Sequence, residues 1–125
     1  MVEEARPVVK CSRRSVRHQV QRADDVIEFH LHEVLWRLSI LDISTEGVSF
    51  GLDDGRPELE VGAILTSVVL RVSESEIRGG IAVTHVTEEF SAGQICGATF
   101  LPATESDRQT LEALVGRLAR AKSQR

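Results

Sequence analysis

The sequence predicts a small antiparallel β-barrel with one helix packed against it near the C-terminus. Five or six short runs of β-branched and aliphatic residues fill the middle of the chain, separated by turn-forming Gly, Asp and Pro. The periodicity then changes to that of one helix face, carried by Leu111, Leu114, Val115 and Leu118. A length of 125 residues, 42% of them hydrophobic and 27% charged, fits a single globular domain.

The predicted strands follow one another with short connections and cover residues 26–32, 34–43, 47–52, 63–72, 77–86 and 95–100. Little more than Glu33 separates the first two, which predicts a tight hairpin. Gly79-Gly80 inside the fifth run predicts a bulge or a bend. Thr104 is the predicted N-cap of the helix, because acidic residues follow it within the first turn.

Charge is segregated along the chain. Residues 1–22 hold six basic and two acidic groups, residues 23–107 hold four basic and sixteen acidic groups, and residues 108–125 hold five basic and one acidic group. An acidic body would repel an extended polyanion, so we expect no nucleic-acid-binding face. A basic N-terminal arm beside that body instead predicts a localised site for a small anion.

The absence of certain sequence features predicts the cellular compartment and the limits of the domain. Cys11 and Cys96 lie far apart with no metal-type spacing, which predicts free thiols in a reducing compartment. No apolar run approaches the ~18 residues of a membrane span or forms a signal peptide. We therefore expect a cytoplasmic protein without membrane insertion. Residues 1–12 lack periodicity and are expected to be a flexible lead-in to a domain at residues 13–122.

Two short motifs carry the candidate chemistry. Residues 13–17, Arg-Arg-Ser-Val-Arg, form an RxxxR before the first predicted strand, and residues 42–47, Asp-Ile-Ser-Thr-Glu-Gly, form a DxSxxG between two strands. Taken separately, the first is typical of a solvated basic tail. The second is typical of a turn in which Asp and Ser side chains bond backbone amides and Gly takes positive φ. Their occurrence in this order within one domain indicates a shared function.

With these motifs, the chain from Arg13 to Leu118 resembles the PilZ domain family. The similarity includes the Leu-Ser-Ile-Leu-Asp-Ile-Ser run that leads into the second motif and the Val-Ser-Phe that follows it. It also includes the 59–70 segment with Gly62 at its turn. Cys96-Gly-Ala-Thr-Phe100 is similar to the family's I/V-G-x-x-F strand, and an amphipathic helix follows, as in the family.

The resemblance implies a six-stranded antiparallel barrel that binds cyclic di-GMP, with the RxxxR arm folding over the ligand and the signal passing to an effector protein. Carried over by position, the ligand-binding residues are Arg13, Arg17, Asp42, Ser44 and Gly47, and Arg14 is either a secondary contact or a solvent-facing charge. Nothing in the sequence names the effector or the oligomeric state.

The chemistry of these side chains suits that ligand. Arginine pairs bidentately with phosphate oxygens or with guanine O6 and N7, and its plane stacks on purines. Asp42 offers an acceptor to the N1–H and N2 amino edge of guanine, and Ser44 can add a hydroxyl bond. Because Gly47 has no Cβ, the backbone can turn closely at this position without a steric clash.

Other interpretations compete with a receptor. A PilZ-like adaptor that acts through protein contacts alone would keep the fold without the ligand. His30 and His32 would share one strand face, but no metal-ligand spacing groups them with His18, His85 or a cysteine, so we predict no metal. No nucleophile–base pair is apparent, and we predict no enzyme and no cofactor. The aromatic residues are expected in the core, namely Phe29, Trp36, Phe50, Phe90 and Phe100.

Overall fold

Seven strands and one helix make up the computed structural model, which describes residues 18–19, 25–52, 56–89 and 93–123. The elements are β1 (His18–Gln19), β2 (Val26–Leu31), β3 (Val34–Ile43), β4 (Gly47–Leu52), β5 (Ile64–Val72), β6 (Ser75–Glu89), β7 (Gly93–Pro102) and α1 (Glu105–Ser123). The six predicted strands and the predicted helix are all present. β6 is longer than predicted at both ends, and the two-residue β1 was not predicted.

Six of the strands close into an antiparallel barrel. They pair in the order β3-β2-β5-β6-β7-β4, and β4 pairs again with β3 to complete the circle. β1 adds to the end of β3, where His18 pairs with Ile43 and Gln19 with Asp42. The predicted six-stranded barrel with a C-terminal helix is confirmed.

Two of the hairpins have two-residue turns in which both residues have positive φ. These are His32-Glu33 between β2 and β3 and Ser73-Glu74 between β5 and β6. Turns of this kind match the right-handed twist of the strands that they join. The predicted hairpin around Glu33 is confirmed. His32, which was assigned to the strand, belongs to the turn.

The core fills the barrel with side chains from every second strand position. Phe29 and Phe50 meet edge to face with ring centroids 6.3 Å apart. Leu111 and Leu114 of α1 are fully buried in the same cluster, while Trp36 packs against its margin. The predicted core positions of Phe29, Phe50 and Phe100 are confirmed, whereas Trp36 is partly buried and packs against the core. Phe90 lies outside the described residues.

The helix begins at a side-chain cap that also ties it to the barrel. Thr104 Oγ1 accepts a hydrogen bond from the backbone N–H of Asp107 at 3.1 Å, as predicted for an N-cap. Asp107 Oδ1 accepts a second bond from the backbone N–H of Arg78 on β6 at 2.9 Å. The first turn of α1 is therefore fixed directly to a barrel strand.

The Gly79-Gly80 pair lies opposite a bulge rather than forming one. Leu65 pairs with Ile81 and Val68 with Gly79, so two residues of β5 face Gly80 alone. A Cβ on Gly80 would stand 2.8 Å from the Leu65 carbonyl oxygen. The predicted irregularity exists, but on the neighbouring strand, and the glycine gives that bulged backbone room to approach.

Glu28 links three adjacent strands on the outside of the barrel. It is only 8% exposed, and its carboxylate accepts hydrogen bonds from Arg37 Nε at 2.7 Å and Arg71 Nε at 3.0 Å. Burial raises the pKa of Glu28, but the hydrogen bonds from Arg71 and Arg37 outweigh it, and the net pKa is below the ordinary value. The ionised carboxylate therefore holds β3 and β5 to β2.

The two ends of the barrel differ. The end of β3, the start of β4 and β1 come together at one end, which also carries the C-terminal end of β7 and the start of α1. The His32-Glu33 turn lies at the other end, because neighbouring strands run in opposite directions. The DxSxxG motif and the chain segment that follows the RxxxR motif therefore share one end.

Candidate functional site

The DxSxxG motif forms a tight turn that is held from inside by Ser44. The Ser44 hydroxyl oxygen accepts hydrogen bonds from the backbone N–H groups of Glu46 at 3.2 Å and Gly47 at 3.1 Å. The backbone N–H of Ser44 donates to the Gly47 carbonyl at 2.9 Å. Because Ser44 is 1% exposed and its hydroxyl serves the backbone, the described geometry gives it a role in positioning the turn.

Gly47 begins β4 and lies beside β7. It pairs with Thr99, and the preceding Glu46 carbonyl accepts a hydrogen bond from the Phe100 N–H at 3.0 Å. Positive φ occurs at Gly62 and Gly93 but not at Gly47. The expectation of a positive φ at Gly47 is therefore wrong, because Ser44 closes the turn without a left-handed residue at that position.

Asp42 is half-buried on the outer face of the barrel, near the end of β3. It pairs with Ser49 of β4 on one side and with Gln19 of β1 on the other. Leu41 is an extra residue in the pairing of β3 with β4, and such bulges change the direction of the side chains beside them. Ile43, the next residue in sequence, is fully buried in the core, so the Asp42 side chain is directed to the outer face.

β1 brings the two motifs together along the chain. His18, which follows Arg17 directly in sequence, is paired with Ile43, and Gln19 is paired with Asp42. The predicted contacts of Arg13, Arg14 and Arg17 lie outside the described residues. What the structure gives is the pairing of the next two residues with the DxSxxG strand.

Asp42 belongs to a row of outward-facing residues across four strands, which we call the outer row: Asp42, Ser49, Gly97 and His85. Asp42 pairs with Ser49, Ser49 with Gly97, and Gly97 with His85. The His85 ring occupies the space where a Cβ on Gly97 would stand. One local signal could have identified Ser49, which stands two residues after Gly47 and so shares its strand face. Nothing local connected it with His85.

The described residues give no support to a metal site or a reactive thiol. No group of three or more His, Cys, Asp or Glu side chains is arranged for a metal within the described ranges. The expected shared face of His30 and His32 is wrong, because His32 lies in the hairpin turn with φ of 55°. Cys96 is fully buried, and burial raises its pKa to about 11. Among the described helices there is none with the length and apolarity needed to span a bilayer.

Comparison with known protein families classifies this domain. The model of the PilZ domain matches residues 12–117, which is most of the chain. The chain belongs to the PilZ domain family. No curated protein sequence matches it.

Solved PilZ proteins share the architecture at low sequence identity. A PilZ domain of YcgR from Escherichia coli, described with c-di-GMP, has a TM-score of 0.71 and 14% identity, covering 89% of this chain and 94% of that one. The c-di-GMP complex of MrkH from K. pneumoniae has a TM-score of 0.74 and 19% identity, covering 100% of this chain and 57% of that one. The Bacillus subtilis inhibitor of motility MotI/DgrA has a TM-score of 0.71 and 16% identity, covering 99% of this chain and 54% of that one. The chain thus spans about half the length of the last two.

Proposed function

We propose that this chain is a bacterial, cytoplasmic receptor that binds cyclic di-GMP between its N-terminal arginines and the DxSxxG end of the barrel, without catalysis. The observation that carries the proposal is the pairing of β1 with the end of β3, since residues 18 and 19 lie beside Ile43 and Asp42. Family membership supports it, because the similar structures of YcgR and MrkH are described with this ligand.

The roles of the residues follow from their chemistry. Arg13 and Arg17 supply the positive charge for the two phosphodiesters, or stack on and pair with guanine, and Arg14 lies beside them in sequence. Asp42 accepts hydrogen bonds from the N1–H and N2 amino group of a guanine. Ser44 and Gly47 hold the turn that presents Asp42. A micromolar complex needs about 8 kcal/mol, which four or five charge-assisted bonds of about 1.5–3 kcal/mol each can supply after ordering costs.

A calorimetric titration with cyclic di-GMP tests the proposal. We expect saturable heat with a dissociation constant in the micromolar range or below, and the same titration gives the number of ligands bound. GMP is the control, because it carries the same base without the cyclic phosphodiester frame. If cyclic di-GMP gives no saturable heat while the protein remains folded, the chain is a PilZ-like adaptor that acts through protein contacts.

We further propose that binding closes the N-terminal arm on the barrel and so changes the surface offered to an effector protein. The pairing of β1 with β3 supports this, since it gives the arm a fixed attachment beside Asp42. Amide hydrogen exchange over residues 8–22 is expected to slow on adding cyclic di-GMP, with the helix residues 105–118 as the internal reference. Exchange rates in 8–22 that do not change at saturating ligand would exclude arm closure but leave binding intact.

A further inference from the structure

Ser49 is a polar residue whose burial the DxSxxG motif does not explain. Its neighbours Val48 and Phe50 fill the core, so the Ser49 side chain is directed to the outside of the barrel. It is nevertheless only 7% exposed. Within the part of the chain that the structure describes, its hydroxyl has no hydrogen-bond partner. A buried hydroxyl normally has one, and its lack of a partner indicates a donor available to a bound molecule.

The surroundings of Ser49 are those of a ligand-binding surface. Asp42 lies on one side of it in the outer row and Gly97 on the other, and the His85 ring lies over Gly97, so a carboxylate and an imidazole flank Ser49. The hydroxyl of Thr84, which precedes His85, donates a hydrogen bond to the Gly97 carbonyl at 3.1 Å. Bulges precede both ends of the row, at Leu41 and Thr84. The row crosses three strand spacings, about 14 Å.

We propose that Ser49 donates a hydrogen bond to O6 of the guanine whose N1–H and N2 amino group are bound by Asp42. This inference rests on the proposed function and names a further ligand-binding residue within it. The order of groups along that edge of guanine is two donors followed by one acceptor. A carboxylate and, one strand further, a hydroxyl supply the complementary order of acceptor and donor.

The arrangement selects guanine over adenine. Adenine carries an amino donor at the position of O6, an unprotonated N1 and no N2 amino group, so its edge would offer the Asp42 carboxylate neither of the two donors of guanine. The outer row therefore recognises the base, while the arginines of the N-terminal arm can recognise phosphate. A hydrogen bond selects one base over another because the wrong base leaves a buried polar group of the site without its bond to the ligand.

The test is calorimetric titration of Ser49→Ala with cyclic di-GMP, expected to bind about threefold to tenfold more weakly than the parent. Ser67→Ala is the matched control, because Ser67 is exposed on β5, which pairs only with β2 and β6; its affinity should equal that of the parent. Ser49→Ala should unfold at the same temperature as the parent or higher, because among the described residues the hydroxyl has no partner to lose. A lower unfolding temperature with unchanged affinity would assign Ser49 a structural role and overturn the proposal.

A second arm separates a contact to the base from a contact to phosphate. The cyclic dinucleotide of 2-aminopurine has the same phosphodiesters but lacks both O6 and the N1–H of guanine, so the parent should bind it more weakly and the penalty of Ser49→Ala should disappear with it. An equal penalty with both ligands would assign the hydroxyl to phosphate and overturn the O6 contact. If the parent binds neither ligand, the proposed function itself fails. If the parent binds cyclic di-GMP and Ser49→Ala binds it equally, only this inference fails.

Discussion

Replacing Arg17 with alanine is expected to weaken cyclic di-GMP binding by about tenfold to a hundredfold, and Arg13→Ala by a similar factor. Each arginine is proposed to make charge-assisted bonds to the ligand, and the residues that follow Arg17 are paired with the strand that carries Asp42. Arg17→Lys should lose affinity to an intermediate extent, because lysine keeps the charge but not the planar fork. Calorimetric titration of each purified variant measures the change.

The control for this series is Arg56→Ala. Arg56 is an exposed arginine that lies in the connection between β4 and β5, away from the DxSxxG end. Its removal changes the net charge by the same amount and should leave affinity within about twofold of the parent, because exposed charges at a distance are screened by salt. Equal affinities for Arg17→Ala and Arg56→Ala would remove Arg17 from the binding site.

Gly80→Ala is expected to destabilise the barrel by about 1–3 kcal/mol. The added Cβ would stand 2.8 Å from the Leu65 carbonyl oxygen, a backbone atom that can give way only if the bulged segment of β5 moves. Thermal and denaturant unfolding measure the loss. The midpoint should shift with little change in the denaturant slope, because the surface exposed on unfolding stays the same.

Gly51→Ala provides the matched comparison for the barrel. Gly51 also lies within a strand, but a Cβ there would meet nothing within 4 Å. Its replacement should be neutral or stabilise the fold by up to about 1 kcal/mol, because alanine reduces the entropy of the unfolded chain. Equal stability of the two variants would show that the bulge opposite Gly80 adjusts without cost and that close approach does not explain this glycine.

Local features of the chain were the ones that sequence reasoning predicted well. The β2–β3 hairpin, the N-cap at Thr104 and the buried face of α1 depend on residues within a few positions of each other. The two motifs could likewise be found without a structure, because their spacing is a property of the sequence. The bulge assigned to Gly79-Gly80 was misplaced because the neighbouring strand β5 carries it. The φ of Gly47 and the face of His32 were wrong because the exact geometry of a turn decided them.

The sequence by itself determined that this chain forms strands and then a helix, that it carries RxxxR and DxSxxG motifs, and that it resembles PilZ domains. The tertiary structure alone decided that β1 lies beside Asp42 and that Ser49, Gly97 and His85 continue the same row. The physical reason is that alternation along a strand is local, whereas the register between strands is set by core packing and bulges among distant segments. The outer row exists only in that register.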